Sequence, residues 1–143
     1  MRDLPRQLTV DELAELFEGR TRFVERLADL DDPLGRAREV VASLSDEEKK
    51  EVLDAHPAIG AKKDGLSARS AAEQGMDEAP ELEELNRRYE ERFGFRFVVF
   101  VNRRPKSEIV PILRERLERT REEELSTALD ELVSIAEDRW RTS

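Results

Sequence analysis

Cysteine is absent from this chain, which excludes disulfides, thiol nucleophiles and every metal site built on thiolate. Histidine occurs once, at His56, so a cage of several imidazoles cannot form within a single chain. No apolar run approaches the roughly eighteen residues that a membrane helix requires. The opening segment, Met1 to Leu8, lacks the apolar stretch of a signal peptide, and the expectation is a soluble, cytoplasmic protein without a membrane partner. A basic footprint is missing too. With 34 acidic against 25 basic side chains the formal net charge is −9, which argues against a nucleic-acid binder. No P-loop, GxGxxG, zinc or Ser–His–Asp pattern is present.

What remains is 143 residues, enough for a single domain spanning 1–143. Charged residues make up 41% and hydrophobic ones 38%, a polar balance that still allows one core. Apolar residues recur mostly at three and four, the helical period. Thr9 and Glu12 form a capping box for a first helix that is expected to stop at Gly19. A second helix carries Phe23, Val24, Leu27 and Leu30, and Asp32-Pro33 starts a third. Ser45 and Glu48 form another capping box, opening a helix that must end near His56 because Pro57 disfavours helical backbone before it.

Gly60, Gly65 and two lysines then make a loop, and Ser67 caps a short helix ending around Gly75. A longer helix over Pro80 to Arg92 is closed by Gly94, and Phe95 to Val101 is an apolar run too β-branched to read as helix. Ser107 is expected to cap a further helix with Pro111 near its first turn. The last helix, roughly Arg121 to Arg141, places Leu125, Leu129, Leu132, Ile135, Ala136 and Trp140 inward. The expected architecture is an all-α domain of about seven or eight helices.

Polar residues in the wrong places mark candidate sites. His56 stands at a helix C-terminus, where the dipole favours imidazolium and burial opposes it, so its pKa is expected near neutrality. It suits a proton donor or acceptor; the plainer reading is a helix-terminal cation. Ser70, Glu73 and Gln74 share one helix face at i, i+3 and i+4, offering a hydroxyl, a carboxylate and an amide, or simply a solvated surface. Arg139 lies on the apolar stripe of the last helix, seven and fourteen residues after Leu132 and Leu125. A core-facing guanidinium requires a carboxylate, from the protein or from a ligand.

Taken in order, His56-Pro57-Ala58-Ile59-Gly60, Ser70-x-x-Glu73-Gln74 and Tyr89-x-x-Arg92-Phe93-Gly94-Phe95-x-Phe97-Val98 resemble the OHCU decarboxylase family. OHCU is 2-oxo-4-hydroxy-4-carboxy-5-ureidoimidazoline, an intermediate of urate breakdown. The likeness runs from about Leu13 to Arg139 and includes Ile109, Arg116-Leu117, Glu124 and Glu131-Leu132. It implies an all-α carboxy-lyase that converts OHCU to (S)-allantoin, uses no metal or organic cofactor, and is often a homodimer. Carried over by position, His56 and Glu73 match the catalytic pair. Ser70, Gln74 and Arg139 match substrate-binding side chains, and Pro57 matches a proline lying against the ligand. Phe97, Val98, Val99, Phe100 and Val101 match a segment whose backbone contacts the ring and ureido groups.

Three departures from the family pattern stand out. The chain is a few residues short after Gln74, around Gly75-Met76. Arg96 replaces a residue that is often small or proline. Asn102-Arg103-Arg104-Pro105 forms a basic turn, either plain surface or a steering patch for an anionic substrate. The competing readings are a related decarboxylase or lyase acting on another ureido acid, and a non-catalytic helical binding module.

Overall fold

The structure, a computed structural model, describes residues 4–57 and 81–142. Among the described residues the chain is all-α, with seven helices and no strand. The short helix expected after Ser67 lies outside them. None of the described helices is long and apolar enough to cross a membrane.

Helix α1 (Val10–Phe17) begins with the capping box of Thr9 and Glu12 in place. It ends one residue earlier than Gly19 led us to expect. Glu18 takes the left-handed position at φ 67°, while a Cβ on Gly19 would come within 3.4 Å of the Ala55 Cβ, so this glycine serves close approach. Helices α2 (Arg22–Ala28) and α3 (Pro33–Ala42) follow, the latter with Pro33 at its first position as the Asp32-Pro33 pair requires. Helix α4 (Asp46–Asp54) carries the second capping box, and its C-cap Ala55 precedes His56 and Pro57.

Helix α5 (Glu81–Phe93) is closed by Gly94 at φ 81°, a conformation a side chain would oppose. Residues 95–101 form neither helix nor strand. A tight turn at Asn102 and Arg103, both with positive φ, then leads into α6 (Lys106–Arg116). Its N-cap is Pro105 rather than Ser107, so Pro111 falls in the second turn and cannot return an N–H to the Ser107 carbonyl. Helix α7 (Arg121–Thr142) packs on α1, α3 and α4, while α5 pairs with α6. Its inner face is the expected one, with Trp140 only half-buried.

The buried apolar residues form one cluster. Within it Tyr89 meets the rings of Phe93, Phe95 and Phe97 at centroid distances of 4.7, 5.9 and 5.1 Å. A charged group is sealed beside these rings. The fully buried Glu124 carboxylate accepts from Arg116 Nε at 2.6 Å and from the Tyr89 hydroxyl at 2.7 Å, and Arg119 Nη1 stands 3.1 Å from its other oxygen. Arg116 also donates to the Val98 carbonyl at 2.9 Å and lies over the Phe97 ring. Burial and the Glu124 carboxylate both push the Tyr89 hydroxyl well above its usual pKa, so it stays a donor.

Unequal costs follow from this geometry. Replacing Arg116 by Met strands a buried carboxylate and should destabilise the fold by about 3–5 kcal/mol. Tyr89→Phe removes one of several donors and should cost only about 1 kcal/mol. Urea unfolding followed by circular dichroism measures both.

Candidate active site

His56 sits one residue past the C-cap of α4, its N–H donating to the Leu53 carbonyl at 3.2 Å. Its side chain is only 5% exposed, and Nε2 is buried without a hydrogen-bond partner among the described residues. Such an orphaned nitrogen costs about 1–3 kcal/mol and is rare without a reason. Burial is the main force on its titration, lowering the pKa to about 4; the charges of Arg139 and Arg96 act the same way and Glu18 opposes them. The expected value near neutrality therefore does not hold. Desolvation and two cations outweigh the helix dipole, and His56 is a neutral imidazole at physiological pH.

Arg139, in the last turn of α7, is 4% exposed and crosses to the end of α1. It donates through Nη1 to the Leu16 carbonyl at 3.1 Å, and its Nη2 lies 3.0 Å from Glu18 Oε1. The carboxylate that a core-facing guanidinium requires is thus supplied by the protein. Glu18 went unnoticed in the sequence, although a signal was there: an acid at a helix C-terminus opposes the macrodipole. A left-handed Glu immediately before a glycine is a second local violation.

The segment 95–101 reaches this cluster through Arg96. Its backbone N–H donates to Asp54 Oδ1 at 3.0 Å, and its Nη1 donates to the carbonyls of Asp54 at 3.3 Å and His56 at 2.5 Å. Beyond it, Phe97, Val98, Val99 and Val101 bury their side chains and Phe100 is half-buried. The main chain here is held by side chains. Val98 O accepts from Arg116, and Phe100 O and Val101 O accept from Arg104 at 2.6 and 2.9 Å. Arg104 in the basic turn therefore folds back onto the chain, and of its two arginines only Arg103 is exposed.

The structure brings His56, Arg139 and Arg96, the residue that leads into Phe97, together, with Pro57 half-buried at the edge. Ser70, Glu73 and Gln74 lie outside the described residues, as does the shortened stretch at Gly75-Met76. A separate cavity of about 470 Å³ opens between α3, α4 and α7. Its floor of Val41, Leu125 and Leu129 and its rim of both charge signs contain none of the expected site residues.

Comparison with known proteins gives this cluster a context. The chain is 33% identical to the uric acid degradation bifunctional protein PucL of Bacillus subtilis (strain 168), over 91% of this chain but 29% of that longer protein. It is 31% identical to the 2-oxo-4-hydroxy-4-carboxy-5-ureidoimidazoline decarboxylase of Haloferax volcanii, covering 90% of this chain and 84% of that one. A crystal structure of an OHCU decarboxylase in the presence of (S)-allantoin shares the fold, with a TM-score of 0.73 at 23% identity over 90% of this chain and 94% of that one. An (S)-allantoin synthase shares it at a TM-score of 0.68 and 24% identity, over 93% of this chain and 48% of the other. The sequence profile of OHCU decarboxylase matches residues 2–141, essentially from end to end, and the chain belongs to that family.

Proposed function

We propose that this protein decarboxylates 2-oxo-4-hydroxy-4-carboxy-5-ureidoimidazoline to (S)-allantoin, acting on it as a cytoplasmic homodimer. Family membership supports the reaction, and the observation that carries it is the buried His56 beside Arg139, its Nε2 without a hydrogen-bond partner among the described residues. The substrate holds its own electron sink. When the bond to the carboxylate breaks and carbon dioxide leaves, the electron pair is drawn into the adjacent C=N unit, which takes up a proton on nitrogen. The hydroxyl proton departs as a carbonyl forms, and a proton arrives on one face of the former imine carbon. Nothing in that sequence requires an external electron sink.

The protein's part is to orient the carboxylate and move protons. A neutral imidazole can accept the hydroxyl proton, which is the role we give His56, with Glu73 orienting or polarising it. Arg139 and the Ser70–Gln74 face would hold the carboxylate, ring and ureido groups. Pro57 and the segment Phe97 to Val101 would line the ring.

The direct test generates OHCU from urate with the two preceding enzymes and follows allantoin by circular dichroism. The wild type should give rapid, one-handed product. His56→Gln should lose about 10²–10⁴-fold in rate, leaving the slow racemic background, and full turnover with full stereoselectivity in that variant would refute the assignment. The titration of His56 should also appear in stability. Its folded value of about 4 lies below the ordinary 6.5, so between those pH values the unfolded chain binds a proton that the folded one refuses. Stability should therefore fall as pH drops through that window, by up to about 3 kcal/mol relative to His56→Gln. Finally, an unreactive substrate analogue bearing the carboxylate should raise the imidazole titration in NMR, whereas the same analogue without it should not.

A further inference from the structure

Two main-chain carbonyls at the end of α4 lie beyond the reach of its own hydrogen-bond ladder, as the last carbonyls of any helix do. Those of Asp54 and His56 are both taken by one guanidinium that comes from a different part of the chain, Arg96. The same residue's backbone N–H is held by the Asp54 carboxylate, and its Nε stands 3.5 Å from Glu90 Oε1 on α5. The peptide carrying His56 is thus gripped from the segment that leads into Phe97. We propose that Arg96 is a positioning residue for His56, fixing the main chain from which the imidazole projects and thereby its aim into the site. This rests on the reading of His56 as the proton-transfer group.

The grip fits the local chemistry. His56 is followed by Pro57, whose fixed φ stiffens one side of it, while the α4 side ends in a fraying helix terminus. Without a cation at that terminus the His56 carbonyl would turn to water and the imidazole with it. An ammonium could satisfy one carbonyl as a point charge. A planar guanidinium offers several donors in a fixed fork and can span two. Charge adds to geometry. The groups facing the imidazole are Arg139 from α7, Glu18 from the end of α1 and Arg96, with Asp54 on its own helix tied to Arg96 and Lys50. Removing Arg96 leaves one cation against one carboxylate, so the imidazole should become easier to protonate.

Since the chain has a single histidine, its imidazole is read directly by long-range proton–nitrogen NMR without assignment. The experiment compares wild type, Arg96→Gln and Arg96→Lys by that signal, with OHCU turnover measured in parallel. In Arg96→Gln the titration midpoint should rise modestly above about 4, since burial and Arg139 still hold it down, and kcat should fall about ten- to a hundredfold with a smaller change in KM. Arg96→Lys should keep the low midpoint, because the charge remains, yet recover kcat only in part. A folded Arg96→Gln with unchanged imidazole shifts, midpoint and kcat would overturn the proposal. If that variant fails to fold, Arg96→Lys decides: nitrogen shifts and kcat equal to wild type would refute the grip, while altered shifts with reduced kcat would support it. A wild type inactive on OHCU would sink the functional reading alone, since the NMR comparison stands without substrate.

Discussion

A peptide carbonyl taken out of water without a donor costs nearly as much as a lost hydrogen bond, and helices leave four such groups at every C-terminus. This protein meets that constraint with guanidinium groups sent in from elsewhere in the sequence. Arg139 reaches Leu16 at the end of α1, Arg96 reaches Asp54 and His56 after α4, and Arg121 reaches Phe93 at the end of α5. The segment 95–101 is served in the same way by Arg116 at Val98, and locally by Arg104 at Phe100 and Val101. Each long-range bond ties a distant element to a helix or segment end that would otherwise open to solvent. The candidate site lies where three of these ends converge, on α1, α4 and the 95–101 segment.

Burial sorts the many ion pairs by consequence. Pairs such as Arg36–Glu39 and Arg87–Glu91 are exposed on single helices, where an interaction contributes only a few tenths of a kcal/mol. The pair of Arg116 with Glu124 is sealed from water, and that of Arg139 with Glu18 is largely shielded from it. Their net value over an apolar pair is modest, because desolvation offsets much of the attraction. Their value in specifying geometry is larger. A lone buried charge has few acceptable arrangements, so each pair fixes how α7 stands against its neighbours. The high charge content of the sequence thus serves two ends, a solvated surface and a small set of internal ties.

Helix content was legible because it rests on local rules. The Thr9–Glu12 and Ser45–Glu48 boxes, Pro33 at a first turn and Gly94 past a last one all act within a few residues. Arg139 was legible as an oddity, since a charge on the Leu125–Leu132 stripe has nowhere to go but inward. Its partner was not, because Glu18 lies 121 positions away and only the fold joins them. Glu124 shows the same limit. It shares a helix face with the buried Ala128 and Ile135, yet the acidic first turn of α7 gave it an innocent explanation. The His56 titration was misjudged for a related reason. A helix dipole is visible in sequence, whereas complete burial and two approaching cations are products of packing.

That titration bears on how so little equipment could handle protons in both directions. An imidazole held near pKa 4 by burial and by the neighbouring cations is a poor base. On the proposed function, the substrate changes this by arriving with a carboxylate that Arg139 would attract. A negative charge beside the imidazole raises its basicity while the carboxylate is bound, which favours uptake of the hydroxyl proton. Carbon dioxide leaves neutral, so the charge stays on the substrate and passes into the former C=N unit, where protonation on nitrogen quenches it. The imidazolium is left among cations in a buried setting, where it is a strong acid, next to a carbon that has just gained electron density. The same burial and the same arginines that depress the resting pKa would drive the proton onto that carbon, and the fixed aim of the imidazole would decide which face receives it.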